Sequence, residues 1–151
     1  MKRVKKIFLI IVVIFVGLLS GCKMLDWLCH DENIPRGYID CVEYFDENGF
    51  QDYTDYCWYQ YVDTDSIKLS VQYETVTKEK IPSIKGYFDD FQGWMLTENR
   101  LDQYDFDQTC INSGDFYYED SEYGINGKYT NYNLYYFDKE SAKLYFIHNN
   151  I

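Results

Sequence analysis

NLYYFDKESAKLYFIHN, residues 133–149, decides the fold. Two apolar, aromatic-rich runs flank a short polar stretch, the pattern of an antiparallel hairpin. Both faces of that hairpin are apolar. Alternation is expected to place Leu134, Tyr136, Leu144 and Phe146 on one face and Tyr135, Phe137, Tyr145 and Ile147 on the other. A single helix covers one face, so the second must meet other parts of the chain, a partner or water. Tyrosine combines large contact area, few rotors and a polar tip, and here it is flanked by Asp and Asn. Tyr135, Phe137, Tyr145 and Ile147 are therefore the candidate binding face, set against burial of both faces within the domain.

Outward from this hairpin the punctuation continues. DFYYED, residues 115–120, predicts a third strand of the same meander, with SEYGINGKYTN, residues 121–131, as its loop. Upstream, residues 37–63 predict a hairpin turning at Asn48-Gly49, a dipeptide suited to the φ > 0 positions of a type I′ turn. Ile67, Leu69, Val71 and Tyr73 alternate after a turn at Asp63–Ser66, which predicts a further strand. One segment has the other period. Ile81, Ile84, Phe88, Phe91 and Met95 recur at helical spacing, with Thr77 as candidate N-cap or Pro82 in the first turn. The class is α+β: an antiparallel sheet of hairpins with one amphipathic helix packed on a face.

The N-terminus carries a different signal. Lys2, Arg3, Lys5 and Lys6 precede thirteen residues, Ile7 to Leu19, without a polar side chain. A basic region followed by a 7–15-residue apolar core has the form of a secretory signal, and the run is short of the ~20 residues a membrane span needs. Leu19-Ser20-Gly21-Cys22 then resembles the lipobox of bacterial lipoproteins, an aliphatic residue, two small ones and a cysteine. The resemblance implies a signal peptide over 1–21, cleavage before Cys22, and a diacylglyceryl group on the Cys22 thiol. It also implies a lipid-anchored position on the extracytoplasmic side of the cell membrane. Residues 22–36 would be the tether and 37–151 a single extracytoplasmic domain.

Removal of 1–21 leaves ten basic against 25 acidic residues, a net charge of −15. Nucleic acid is excluded as a partner, because phosphate binding needs clustered Lys and Arg; a neutral or basic protein or glycan is the electrostatically permitted kind. The acidic charge also reads simply as solubility for a tethered domain; of 30 aromatic residues 28 remain in the mature chain, and such residues favour strands.

Once Cys22 takes lipid, Cys29, Cys41, Cys57 and Cys110 remain, an even number in a compartment that permits disulfides. A hairpin centred on Gly49 sets Cys41 opposite Cys57, leaving Cys29 for Cys110; four free thiols are the other outcome. No cysteine pair has zinc spacing, and Asp105–Asp107 and Asp63–Asp65 lack the later residues of a calcium loop. The two histidines, His30 and His148, stand far apart, and no catalytic residue, metal or cofactor is expected. A small hydrolase using paired carboxylates is the alternative from another class.

Overall fold

A computed structural model of the chain describes residues 31–45, 53–65, 67–123 and 129–150. The signal segment, Cys22, Cys29, His30 and the Asn48-Gly49 turn lie outside the described residues. The chain divides between Ile34 and Pro35. Of the first unit, residues 31–34 form a turn in which the Ile34 amide donates to the Asp31 carbonyl at 3.0 Å.

In the second unit the elements are β1 (Asp40–Phe45), β2 (Tyr53–Gln60), β3 (Glu74–Thr75), α1 (Ile81–Thr97), β4 (Phe116–Tyr123), β5 (Tyr129–Asp138) and β6 (Lys143–Asn150). All six strands join one antiparallel sheet in the order β1-β2-β6-β5-β4-β3. The class is α+β, and β4, β5 and β6 form the expected meander.

The β5–β6 turn is built by its sequence. Asp138 Oδ1 accepts from the amides of Glu140 (2.9 Å) and Ser141 (3.3 Å), and Oδ2 accepts from the Ser141 hydroxyl at 2.6 Å. Such Asx hydrogen bonding is how Asp fixes a turn. Asp138 pairs with Lys143, leaving four residues in the loop, and Ala142 takes φ 52° within it. An even loop makes residues of opposite parity share a face. Leu134 therefore faces Ile147, and Tyr135 faces Phe146. The expected grouping of Tyr135, Phe137, Tyr145 and Ile147 is corrected: the first two share a face with Leu144 and Phe146, the last two with Leu134 and Tyr136.

The β1–β2 register differs in a similar way. Cys41 pairs with Tyr59 and Cys57 with Glu43, so the hairpin is centred one residue beyond Gly49 and the two cysteines are offset diagonally. Cys41, Cys57 and Cys110 are free thiols. The expected Cys41–Cys57 pair is thereby corrected, because mirror spacing in sequence gives opposition only for one loop length. The strand expected at Ile67–Tyr73 is also absent; pairing begins only at Glu74, opposite Tyr117, and Val71 is fully exposed. The chain must pass here from β2 to β3 at the far edge of the sheet, and a crossing segment has no neighbour to pair with.

Helix α1 starts at Ile81 with Pro82 in its first turn, and Lys80 at the N-cap offers no side-chain cap. Thr77 contributes its carbonyl, accepting from the amides of Lys80 (3.1 Å) and Ile81 (3.3 Å), in place of the expected hydroxyl cap. The helix ends in a Schellman arrangement: Asn99 takes φ 57°, and the Arg100 amide reaches the Met95 carbonyl at 2.8 Å. Ile84, Phe88, Phe91 and Met95 are buried, as the spacing predicts, and Tyr87 joins them. These side chains form one cluster with Tyr56, Tyr132, Leu134, Tyr136 and Ile147 of the strands. Phe106, from the segment after the helix, stacks on Phe88 with centroids 3.8 Å apart. The opposite face of the sheet, with Cys57, Tyr59, Phe137 and Leu144, is buried as well.

Candidate functional site

The four residues expected to form an open face are 4 % (Tyr135), 1 % (Phe137), 9 % (Tyr145) and 0 % (Ile147) exposed. They hold the interior together. Phe137 lines a cavity, and that cavity is the candidate site.

Its construction begins at the β4–β5 pair. Phe116 and Phe137 stand directly opposite one another and supply an aromatic floor. Lys139 is the first residue of the β5–β6 loop, and its ammonium lies 5.2 Å from the centroid of the Phe116 ring. The crossing segment between β2 and β3 supplies the other wall with Thr64, Asp65, Ile67, Leu69, Ser70 and Tyr73. The enclosed volume is about 380 Å³. Two turns shape the wall: the Ile67 amide donates to the Thr64 carbonyl at 3.4 Å, and the Tyr73 amide to the Ser70 carbonyl at 3.3 Å. Tyr73 is held against Tyr118 and Tyr135, with centroids 6.2 and 6.4 Å away.

A buried carboxylate fixes the floor. Asp115, 5 % exposed, accepts from the Tyr136 hydroxyl (2.6 Å), the Asn112 amide (2.9 Å) and the Lys139 amide (3.2 Å). It ties the approach to β4 to the loop that carries Lys139. The site thus pairs a rigid aromatic floor with a wall that lacks ladder hydrogen bonds. Its charged groups are one carboxylate, Asp65, and one ammonium, Lys139, balanced within a chain of net charge −11.

A second cavity of about 320 Å³ lies by β3, among Gln72, Glu74, Lys80, Tyr117, Tyr118 and Glu119. Lys80 Nζ meets Glu119 Oε1 at 2.7 Å and sits 5.0 Å from the Tyr117 ring centre. The Tyr117 hydroxyl donates to Glu74 Oε2 at 2.8 Å. Both carboxylates are occupied by partners.

Elsewhere the ionisable groups are tuned toward silence. Burial, reinforced by the Asp115 carboxylate it bonds, raises the Tyr136 phenol well above its ordinary range. Burial, then its hydrogen bond to Asp105, does the same to Tyr56. The Cys57 and Cys110 thiols are pushed up to about 12, burial being the main cause in both, which makes them poor nucleophiles. Burial lowers His148 instead, and its Nδ1 lies 2.7 Å from Asn133 Oδ1 on the central strands. Among the described residues no three His, Cys, Asp or Glu side chains are grouped to hold a metal ion.

Thr64, Asp65 and Lys139 were beyond sequence reasoning as site residues, since they come together only through the crossing from β2 to β3. The one signal available was the polar turn at Asp63–Ser66. No protein-family model, curated protein or solved structure matches the chain.

Proposed function

We propose that the chain is a membrane-tethered extracytoplasmic lipoprotein whose domain binds a neutral or basic protein or glycan. Cys22 carries the lipid, residues 22–36 form the tether, and α1 lies on one face of the sheet in the binding domain. The observation that carries the binding role is the cavity of about 380 Å³ between Phe116, Phe137 and the Thr64–Tyr73 wall. Its size falls within the ~300–1,000 Å³ of ligand pockets, and its lining mixes aromatic and aliphatic side chains with the polar groups of Thr64, Asp65, Ser70 and Lys139. The lipobox sequence, Leu19-Ser20-Gly21-Cys22, supports the tethering.

Two measurements test this reading. Metabolic labelling with a fatty-acid analogue should tag the wild-type protein and leave Cys22→Ala unlabelled; equal labelling of both would remove the anchor. The full chain in detergent, applied to arrays of oligosaccharides and of peptides, should bind a subset of one array. Leu69→Trp, which fills the cavity, should abolish that binding.

The alternative, a hydrolase using paired carboxylates, has its foothold in Glu74 and Glu119 at the second cavity. Glu119 Oε2 is buried without a hydrogen-bond partner, the feature in its favour. Against it, the Tyr117 hydroxyl holds Glu74 and the Lys80 ammonium holds Glu119. A general acid and a general base need a reacting group within hydrogen-bond reach, and one oxygen of each carboxylate is already engaged, Glu74 Oε2 and Glu119 Oε1.

A further inference from the structure

We infer that the cavity between β4–β5 and the crossing segment takes a neutral saccharide, one or two rings in length. The inference rests on the binding reading above and narrows it to one ligand class.

The lining dictates three properties of the occupant. The accessible aromatic surface is Phe116, backed by the buried Phe137, with the Tyr73 ring beside it. Such a surface favours a flat apolar face, met by weak C–H contacts to the rings. The remaining polar lining is mixed: Asp65 accepts, Lys139 donates, and the Thr64 and Ser70 hydroxyls do both. A ligand rich in groups that both donate and accept satisfies such a set; a purely cationic or purely anionic one leaves half of it unused. Finally, the two formal charges of the lining have opposite sign, so the site gives no net preference to either charge. Apolar on one face, hydroxylated around its edge and uncharged overall is the description of a sugar ring. A volume of about 380 Å³ lies near the small end of ligand pockets, which limits the enclosed portion to a short unit.

A peptide fits less well. Strand addition would have to use the outer edge of β3, which is only Glu74–Thr75 and too short to dock an extended peptide.

The test uses the full chain in detergent and, as probes, neutral mono- and disaccharides. Saturation-transfer NMR reads which sugar protons approach the protein. Transfer is expected at the C–H face of the ring. Leu69→Trp should weaken binding at least tenfold, and so should Asp65→Ala, an exposed position whose loss leaves the fold intact. Binding of a neutral saccharide that is indifferent to both variants overturns the assignment of the site. If no neutral saccharide binds at millimolar concentration but an arrayed peptide binds and is lost in Leu69→Trp, the saccharide inference falls while the binding role stands. If neither array yields a ligand, both fall.

Discussion

Asp115 gathers three donors from two separate parts of the chain, and single-residue changes there have readable effects. Removing the Tyr136 hydroxyl strips Asp115 of a 2.6 Å hydrogen bond and the Cys110 carbonyl of one at 2.9 Å. Leaving a buried carboxylate short of a donor costs about 1–3 kcal/mol. Tyr136→Phe should therefore lower the unfolding free energy by that amount, read as a lower urea midpoint, and a midpoint equal to wild type would show that the network carries no stability. Cysteine chemistry is a second probe at this scale. The Cys57 thiol is fully buried and pushed up to about 12. It should resist a thiol reagent at pH 8 until the protein is unfolded, and peptide mapping should recover it unlinked to Cys41. Recovery of a Cys41–Cys57 disulfide would mean a register shifted by two. In sequence, Cys41 and Cys57 mirror about Gly49, which is what makes them look paired. Residues alone reveal that a hairpin exists; its centre is set by the loop, where the pattern of side chains is silent.

At the scale of elements, the helix stripe and the meander were legible because each repeats a period long enough to outvote local exceptions. Phe88 is fully buried and stacked on Phe106, whereas Asp89 is exposed, with one link to Gln108 at 2.7 Å. Phe88→Ala should cost about 3–5 kcal/mol by urea denaturation. Asp89→Ala should stay within about 0.5 kcal/mol of wild type. The reverse ranking would turn the helix around. Two element-scale features were not legible. The four-residue loop after Asp138 swapped which residues share a face, since a one-residue change of loop length inverts parity. The alternation at Ile67–Tyr73 has the form of a strand, yet the segment crosses toward the far edge of the sheet and its Ile67 and Tyr73 amides close local turns instead of a ladder.

The molecule as a whole is defended by phenols kept neutral. Tyr56, Tyr59, Tyr61, Tyr104, Tyr117, Tyr132, Tyr136 and Tyr145 all hold their protons more tightly than free tyrosine, burial being the leading cause in each. A folded-state pKa above the unfolded value gives stability that is fully present below the unfolded pKa, about 10, and lost as pH rises beyond it. The urea midpoint should therefore be insensitive to phenol ionisation up to about pH 10 and fall steeply above it. Tyrosinate absorbance should appear together with unfolding. Ionisation of all 17 tyrosines near pH 10 with the fold intact would mean that these eight rings are open to water. The candidate site also belongs to this scale. Phe137 and Lys139 stand two residues apart in sequence, but Thr64 and Asp65 come from a distant stretch that only the strand order brings to them.

That strand order has a consequence for how the chain is made. β6 stands between β2 and β5, pairing Tyr56 with Ile147 on one side and Ile147 with Leu134 on the other. Until Lys143–Asn150 has been synthesised, the β1–β2 hairpin and the β3–β4–β5 portion have no common strand between them, and each exposes an edge that the final strand will cover. Contacts this far apart in sequence form late. A nascent chain therefore remains two separate ribbons until translation has passed β6, and a transcript cut before Lys143 yields a product fit only for proteases.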